Sequence, residues 1–301
     1  MPELKKAFKS GFVAVVGRPN AGKSTLVNAL VGAKVSIVTP VAQTTRNRIL
    51  GIVHRPDAQV VLMDTPGIHR PLSRLNDQMM AFVREALEER DLTLLIADAS
   101  APFGTGDEFA VQLVAEHAPR AILLLNKIDR VHKPKLLPLI DRYSKLHNFE
   151  EIFLVSALKG MHLEEVLEGV VARLPDGPAY FPPDVYTDQP ERFLAAEIVR
   201  ERMIHNTRQE LPHASAVLIE SFEESETITR IHATILVERE SQKPIVIGAH
   251  GSRIKQIGTE ARQELEKVFP PKVFLQLFVR VEPGWRDSRP LIASLDYRNE
   301  G

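Results

Sequence analysis

Eight residues near the N-terminus, Gly17, Arg18, Pro19, Asn20, Ala21, Gly22, Lys23 and Ser24, read G-x-x-x-x-G-K-[ST] and follow the apolar run Phe12–Val16. A tight turn after a buried strand can surround a polyphosphate with backbone N–H groups, with no side chain in the way. Glycine permits both the turn and the close approach. Lys23 supplies a point charge toward the β- and γ-phosphates and Ser24 a hydroxyl for Mg²⁺. The helix that begins there, with Thr25 in its first turn, adds the positive end of its dipole. The alternative is a glycine-rich strand–helix turn that holds nothing, and it weakens with each further motif.

Two more motifs follow apolar runs. Asp64, Thr65, Pro66 and Gly67 come directly after Val60–Met63, and Asn126, Lys127, Ile128 and Asp129 directly after Ala121–Leu125. Both fall where strands of an open α/β sheet end and ligands gather. Asp64 is placed to hold Mg²⁺ through water, and Gly67 to present its N–H to a γ-phosphate. An aspartate in NKxD can accept from N1–H and N2–H₂ of guanine; adenine offers no such pair of donors. Ser156, Ala157 and Leu158, after Ile152–Val155, can set a backbone N–H on the guanine O6. The catalytic set expected from these motifs is Lys23, Asp64 and Gly67, with Ser24 and Asp64 on the metal.

The elements that must position these residues are legible as a rhythm. Phe12–Val16, Val60–Met63, Leu92–Ala97, Ala121–Leu125 and Ile152–Val155 are near-continuous apolar runs, as expected of parallel strands covered on both faces. Helix-length segments lie between them; in one, Leu75, Met79, Phe82, Val83 and Ala86 mark a single face. This is the βαβ pattern of an α/β domain. It stops near Leu174. The next 17 residues, LPDGPAYFPPDVYTDQP, hold five prolines and read as an interdomain linker. The expected boundaries are therefore 1–174, a linker at 175–190, and a second domain at 191–301.

The second domain has another order: helix, strand, strand, helix, helix, strand. Ile231, Ala233, Ile235 and Val237 face one way along a strand, and Arg230, His232 and Thr234 the other. Gly248, Ala249, His250 and Gly251 form a GxxG loop between two helical stretches, in the pattern VIGxxGxxIxxI. Such a loop can clamp a nucleic-acid backbone. Residues 241–280 hold seven Lys/Arg against three glutamates, for a local charge of +4, whereas 191–240 are net negative. Basic character thus concentrates beside the loop. Ile245, Ile254 and Ile257 are either an apolar floor for bases or core. Arg253 and Lys255 flank the loop. Phe274 and Phe278, opposite the valines of the last strand, are expected to pack on the helices rather than stack on bases. Trp285, past the last strand, is ambiguous.

Composition bounds the rest. The 301 residues fit two domains, and 44% hydrophobic with 26% charged residues is ordinary for a globular chain. With no cysteine, disulfides and Cys-zinc sites are excluded, which suits a reducing compartment. No signal peptide is expected from MPELKKAFKSGF, and no apolar run is long enough to span a bilayer. The formal net charge of −1 leaves nucleic-acid binding to local patches. The ten histidines show no metal-ligand spacing; His69, beside Gly67-Ile68, is open to a partner contact or to no role.

In the order GRPNAGKS, a threonine pair, DTPG, NKID and SAL, the chain resembles the translation-factor-like branch of the P-loop GTPases. With a type II KH order after the linker and VEPGWRDSRP at Val281–Pro290, it resembles the Era family along nearly its whole length. The resemblance implies a six-stranded, mostly parallel α/β GTPase domain, then an α+β type II KH domain. It implies Mg²⁺-dependent GTP hydrolysis and binding of small-subunit (16S-type) ribosomal RNA near its 3′ end. It also implies a role in maturing the small subunit, and a cytoplasmic protein with peripheral inner-membrane contact; a monomer is expected. Residues 33–48 and 67–90 would be switches I and II, with Thr44 or Thr45, the latter preferred, closing over Mg²⁺ and the γ-phosphate. Ras-like GTPases carry a glutamine where Ile68 stands, and isoleucine orients no water, so slow intrinsic hydrolysis is expected. In related GTPases with the asparagine matching Asn20, a bound K⁺ replaces an arginine finger; the alternative here is that Asn20 only caps the loop. A non-hydrolysing RNA-binding protein with a structural nucleotide, and a P-loop ATPase or kinase, are the competing readings.

Overall fold

The computed structural model describes residues 7–69, 73–118, 120–207, 211–269, 272–295 and 297. They fall into two compact units: residues 1–36, 42–71 and 76–188 belong to the first, and 37–41, 72–75 and 189–301 to the second.

In the first unit β1 (Lys9–Gly17) leads through the glycine-rich turn into α1 (Lys23–Val31). Then come β2 (Ile49–His54), β3 (Ala58–Asp64), α2 (Arg74–Glu88), β4 (Leu92–Asp98) and α3 (Thr105–His117). β5 (Ala121–Asn126), α4 (Leu136–Leu146), β6 (Glu151–Leu154) and α5 (Leu163–Arg173) complete it. The sheet order is β2-β3-β1-β4-β5-β6, and every pairing is parallel except β2 with β3. Alternate residues of β1 serve different cores. Val13 and Val15 join Leu26, Val27, Val166 and Val170 from α1 and α5. Ala14 and Val16 join Val83, Val111, Val114 and Tyr143 from α2, α3 and α4. Burial on both faces is what makes these strands read as unbroken apolar runs. β2 is the strand that the apolar-run pattern does not reveal: Gly51 interrupts it, and a Cβ there would sit 2.7 Å from Val27 of α1.

The proline-rich segment is not a free tether. The main chain of Ser10 donates to the Pro175 carbonyl, and the Ser10 hydroxyl to that of Pro178. The buried Gln59 amide accepts from Tyr180 and Phe181 N–H at 2.6 and 3.0 Å and donates to the Phe181 carbonyl at 2.8 Å. His54 Nε2 meets the Val185 carbonyl, Ile52 N–H donates to that of Tyr186, and Leu50 N–H to Asp188 Oδ1. The segment runs as a strap beside β2, an edge strand whose outward backbone groups would otherwise be unpaired.

The second unit holds α6 (Glu191–Asn206), α7 (Leu211–Ala214), β7 (Ser215–Glu224), β8 (Thr229–Val237), α8 (Lys243–Ile247), α9 (Ser252–Leu265), β9 (Val273–Val281) and α10 (Arg289–Ser294). β8 is central, antiparallel to β7 and parallel to β9. Ile231, Ala233, Ile235 and Val237 are all fully buried. Trp285 is fully buried too, its indole N–H donating to the Ala214 carbonyl, and the Tyr297 hydroxyl accepts from Ile219 N–H. The C-terminal segment is thereby bonded on the β7 side. Phe274 and Phe278 do not pack on the helices: they are 46% and 50% exposed on the open face of β9.

Candidate functional site

The phosphate-binding turn ends where α1 begins, and its lysine is buried. Lys23 Nζ donates to the Gly17 and Arg18 carbonyls at 3.2 and 3.0 Å. Burial lowers its ammonium to about 8, against the raising pull of Asp64. Burial likewise pushes the Asp64 carboxyl up, against Lys23 and the hydrogen bond from Ser24. For both groups burial outweighs the pull of the other's charge, and a bound polyanion and cation would favour the charged forms.

Three hard oxygen donors lie together here. The Ser24 hydroxyl donates to Asp64 Oδ2 at 2.7 Å, and Thr45 Oγ1 lies 2.8 Å from Ser24 Oγ. Asp64 Oδ1 is buried without a hydrogen-bond partner. A buried, orphaned carboxylate oxygen beside two hydroxyls fits an Mg²⁺ ion, which takes few protein ligands and keeps waters and phosphates. Thr45 is buried, Thr44 half-buried. No group of three or more His, Cys, Asp or Glu side chains among the described residues could hold a metal ion.

Gly67 reaches the phosphate turn closely: a Cβ on it would lie 2.7 Å from Pro19 Cα, Cγ and N. Ile68 N–H donates to the Gly17 carbonyl at 2.9 Å, and the Ile68 side chain is buried in the core shared with α2 and α3. Thr65 donates to the Val15 carbonyl. Pro66 is buried beside it.

Asn126 joins the base-side loops to the phosphate turn. Its Nδ2 donates to the Ala21 carbonyl and its Oδ1 accepts from Ala157 N–H, at 2.8 and 2.9 Å. Lys127, in the left-handed region at φ 67°, donates to the Asn20 carbonyl and to Asp98, both at 2.6 Å. Ser156 donates to Asp129 Oδ1 at 2.6 Å. Leu158 is exposed, and Asn20 is exposed in a left-handed conformation.

Three supporting residues escaped the sequence reading. Asp98 holds Lys127. Asp107 pairs with Arg18 and accepts from the buried Tyr143 hydroxyl. Asn28 Oδ1 accepts from Val35 and Ser36 N–H, and its Nδ2 donates to the Ser36 carbonyl, fixing the start of the segment that carries Thr45. The available signal for Asn28 was an asparagine inside a helix, where its propensity is poor.

In the second unit the GxxG loop joins α8 to α9. Gly248 has φ 74° and ψ 172°, a region essentially closed to side chains. Ala249 and His250 are exposed, and Gly251 precedes α9 in a left-handed conformation. Ile245 and Ile254 are half-buried, whereas Ile257 is fully buried and belongs to the core. Lys255 is exposed; the Arg253 guanidinium donates to the Ile245 carbonyl in α8.

Comparison with known proteins agrees with this division. A family described as "50S ribosome-binding GTPase" matches residues 12–127, and "KH domain" matches residues 210–286. GTPase Era of Nostoc sp. is 45% identical over 302 residues, covering 100% of this chain and 93% of that protein. A crystal structure of Era in complex with MgGDPNP and nucleotides 1506–1542 of 16S ribosomal RNA matches with a TM-score of 0.91 and 41% identity. It covers 96% of this chain and 99% of that one. A variant of Aquifex aeolicus Era bound to GDP and AlF₄⁻ matches with the same TM-score, identity and coverage. With this identity over its full length, the two-part chain belongs to the Era family of GTPases.

Proposed function

We infer that the protein is a GTP-hydrolysing switch that binds small-subunit ribosomal RNA near its 3′ end and assists maturation of the small subunit. The observation that carries the enzymatic half is the convergence at the C-terminal ends of β1, β3, β5 and β6. There Lys23 is bonded within the phosphate turn, Ser24 meets Thr45 and Asp64, Asn126 ties the phosphate turn to Ala157, and Ser156 holds Asp129. The MgGDPNP and 16S rRNA of the solved relative support the ligands.

Ser24 and Asp64 would hold Mg²⁺, with Asp64 acting through water and Thr45 closing over it; the ion would neutralise charge on the β- and γ-phosphates. Thr45 is favoured over Thr44 by its contact with Ser24. Lys23 supports the phosphates, Gly67 N–H the γ-phosphate, and the Asp129 carboxylate the guanine edge, with Ser156 holding one of its oxygens. With the Ala157 N–H taken by Asn126, the Leu158 N–H would be the backbone donor to the base O6. Because Ile68 is packed in the core, no side chain at that position orients water, and intrinsic hydrolysis is slow. Asn20 is the candidate for a K⁺ contact, and its exposed left-handed backbone suits a role in a ligand-facing turn.

The Gly248–Gly251 loop would clamp the RNA backbone, with Ile245 and Ile254 as apolar floor, His250 and Lys255 at its rim, and Arg253 bracing α8. The test combines multiple-turnover phosphate release with nucleotide-dependent crosslinking to cellular RNA. Phosphate release lost in Lys23→Ala, and crosslinks at the small-subunit 3′ end, are the expected results. Absence of turnover would leave the reading of a structural nucleotide. Crosslinks spread over unrelated RNAs would overturn the RNA assignment.

A further inference from the structure

The side chain that follows Ile68 is held at both ring nitrogens. His69 Nδ1 lies 2.5 Å from the Gly67 carbonyl oxygen, and His69 Nε2 lies 2.7 Å from Asn76 Nδ2 in the first turn of α2. A carbonyl oxygen only accepts, so Nδ1 carries the hydrogen; Nε2 then accepts from the asparagine amide. The imidazole therefore has no free nitrogen for a substrate water. What it does have is a grip on the carbonyl of the peptide that follows Gly67. That same peptide donates its N–H, from Ile68, to Gly17 of the phosphate turn. Gly67 itself lies against Pro19 with no room for a Cβ. The glycine is thus fixed from three sides: a main-chain bond, a steric stop, and an aromatic ring anchored in a helix.

We propose that His69 is a positioning residue that couples the N–H of Gly67 to the start of α2, through Asn76, so that the glycine is held where a γ-phosphate can be read. The idea rests on the reading of Gly67 as a γ-phosphate partner. With isoleucine at the position next to that glycine, the His69 ring is the polar side chain seen bonded both to the glycine's carbonyl and to α2. Its carbonyl bond stiffens the N–H on the other side of the same residue without touching the nucleotide.

The test measures the preference for a non-hydrolysable GTP analogue over GDP, together with kcat and KM for GTP, in the full chain. His69→Ala should lower the preference by about 3–10-fold, the range for one lost hydrogen bond. GDP affinity should be unchanged, which reports an intact fold and phosphate turn. Asn76→Ala should have a similar effect, and the double variant should lose no more than either single one, because the two side chains act in series. His69→Asn, whose amide can still donate to the Gly67 carbonyl, should recover most of the preference. Gly67→Ala separates failure of this proposal from failure of the reading beneath it. If Gly67→Ala abolishes the preference and His69→Ala does not change it, the brace is overturned and the reading stands. If neither changes it, Gly67 does not read the third phosphate and both fall. A His69→Ala variant with unchanged preference but a loss of kcat above about 100-fold would also overturn the brace, in favour of direct action on the attacking water.

Discussion

The close contact between Gly67 and Pro19 makes Gly67→Ala the most informative single substitution in the nucleotide site. The new Cβ would stand 2.7 Å from three atoms of Pro19, two of them backbone. Carbon atoms pack at about 3.5–4.0 Å, so the DTPG turn or the phosphate turn must retreat by roughly 1 Å. The phosphate turn is secured by Lys23 and Asn126, so the DTPG turn should yield. A displacement of that size breaks a hydrogen bond from the Gly67 N–H to a γ-phosphate. Bonds to charged groups contribute about 1.5–3 kcal/mol, which corresponds to about 10- to 150-fold in affinity. GDP has no γ-phosphate and should bind within about 3-fold of the parent protein. Titration of a fluorescent GDP and a fluorescent non-hydrolysable GTP analogue reads both numbers directly. Equal losses for the two nucleotides would refute the reasoning, because the alanine would then have damaged the phosphate turn as a whole. An unchanged analogue affinity would refute it more completely.

Asp129→Asn should weaken GTP binding by about 10²-fold or more and improve xanthine nucleotide binding, read by competition; equal inhibition of the parent protein by ATP and GTP would sink the base assignment. Gly248→Ala puts a Cβ 2.7 Å from Arg253 Cβ at a φ of 74°, and should cut RNA affinity at least about 10-fold while RNA-independent GTP hydrolysis is unchanged. Gln59→Leu removes three hydrogen bonds to Tyr180 and Phe181; urea unfolding should show a loss of about 2–4 kcal/mol, and limited proteolysis should cut within residues 178–188, with GDP still bound. Since burial lowers ligand-free Lys23 to about 8 and a bound polyphosphate restores its charge, binding GDP at pH 8 should take up about half a proton, more as pH rises and less at pH 7. Calorimetry in buffers of different ionisation enthalpy measures this, and zero uptake at pH 8 would contradict it.

The nucleotide site was legible because its motifs are local. In GRPNAGKS, DTPG and NKID, neighbouring residues do the chemistry at strand ends, and the strands are apolar on both faces. What the sequence did not disclose depends on packing between distant segments. β2 is broken by Gly51, whose small size answers to Val27 and Val31 on α1. The exposure of Phe274 and Phe278 follows from the C-terminal segment bonding at Ala214 and Ile219 rather than beside β9, which alternation along β9 alone does not reveal. Ile257 resolved to core while Ile245 and Ile254 stayed half-buried, because only the three-dimensional course of α9 sorts equally apolar residues. The braces at Asp98, Asp107, Asn28 and His69 are ordinary polar residues until their partners, up to 89 positions away, are known.

The strap beside β2 bears on how the nucleotide-binding half can be handled alone. A fragment ending at Leu174 would strip the strap's hydrogen bonds from Leu50, Ile52 and His54 and leave the Gln59 amide only its contact with the His54 ring. Its bared margin would be a template for a neighbouring copy, and such a fragment should precipitate or form fibrils at concentrations where one ending at Asp188 remains dispersed.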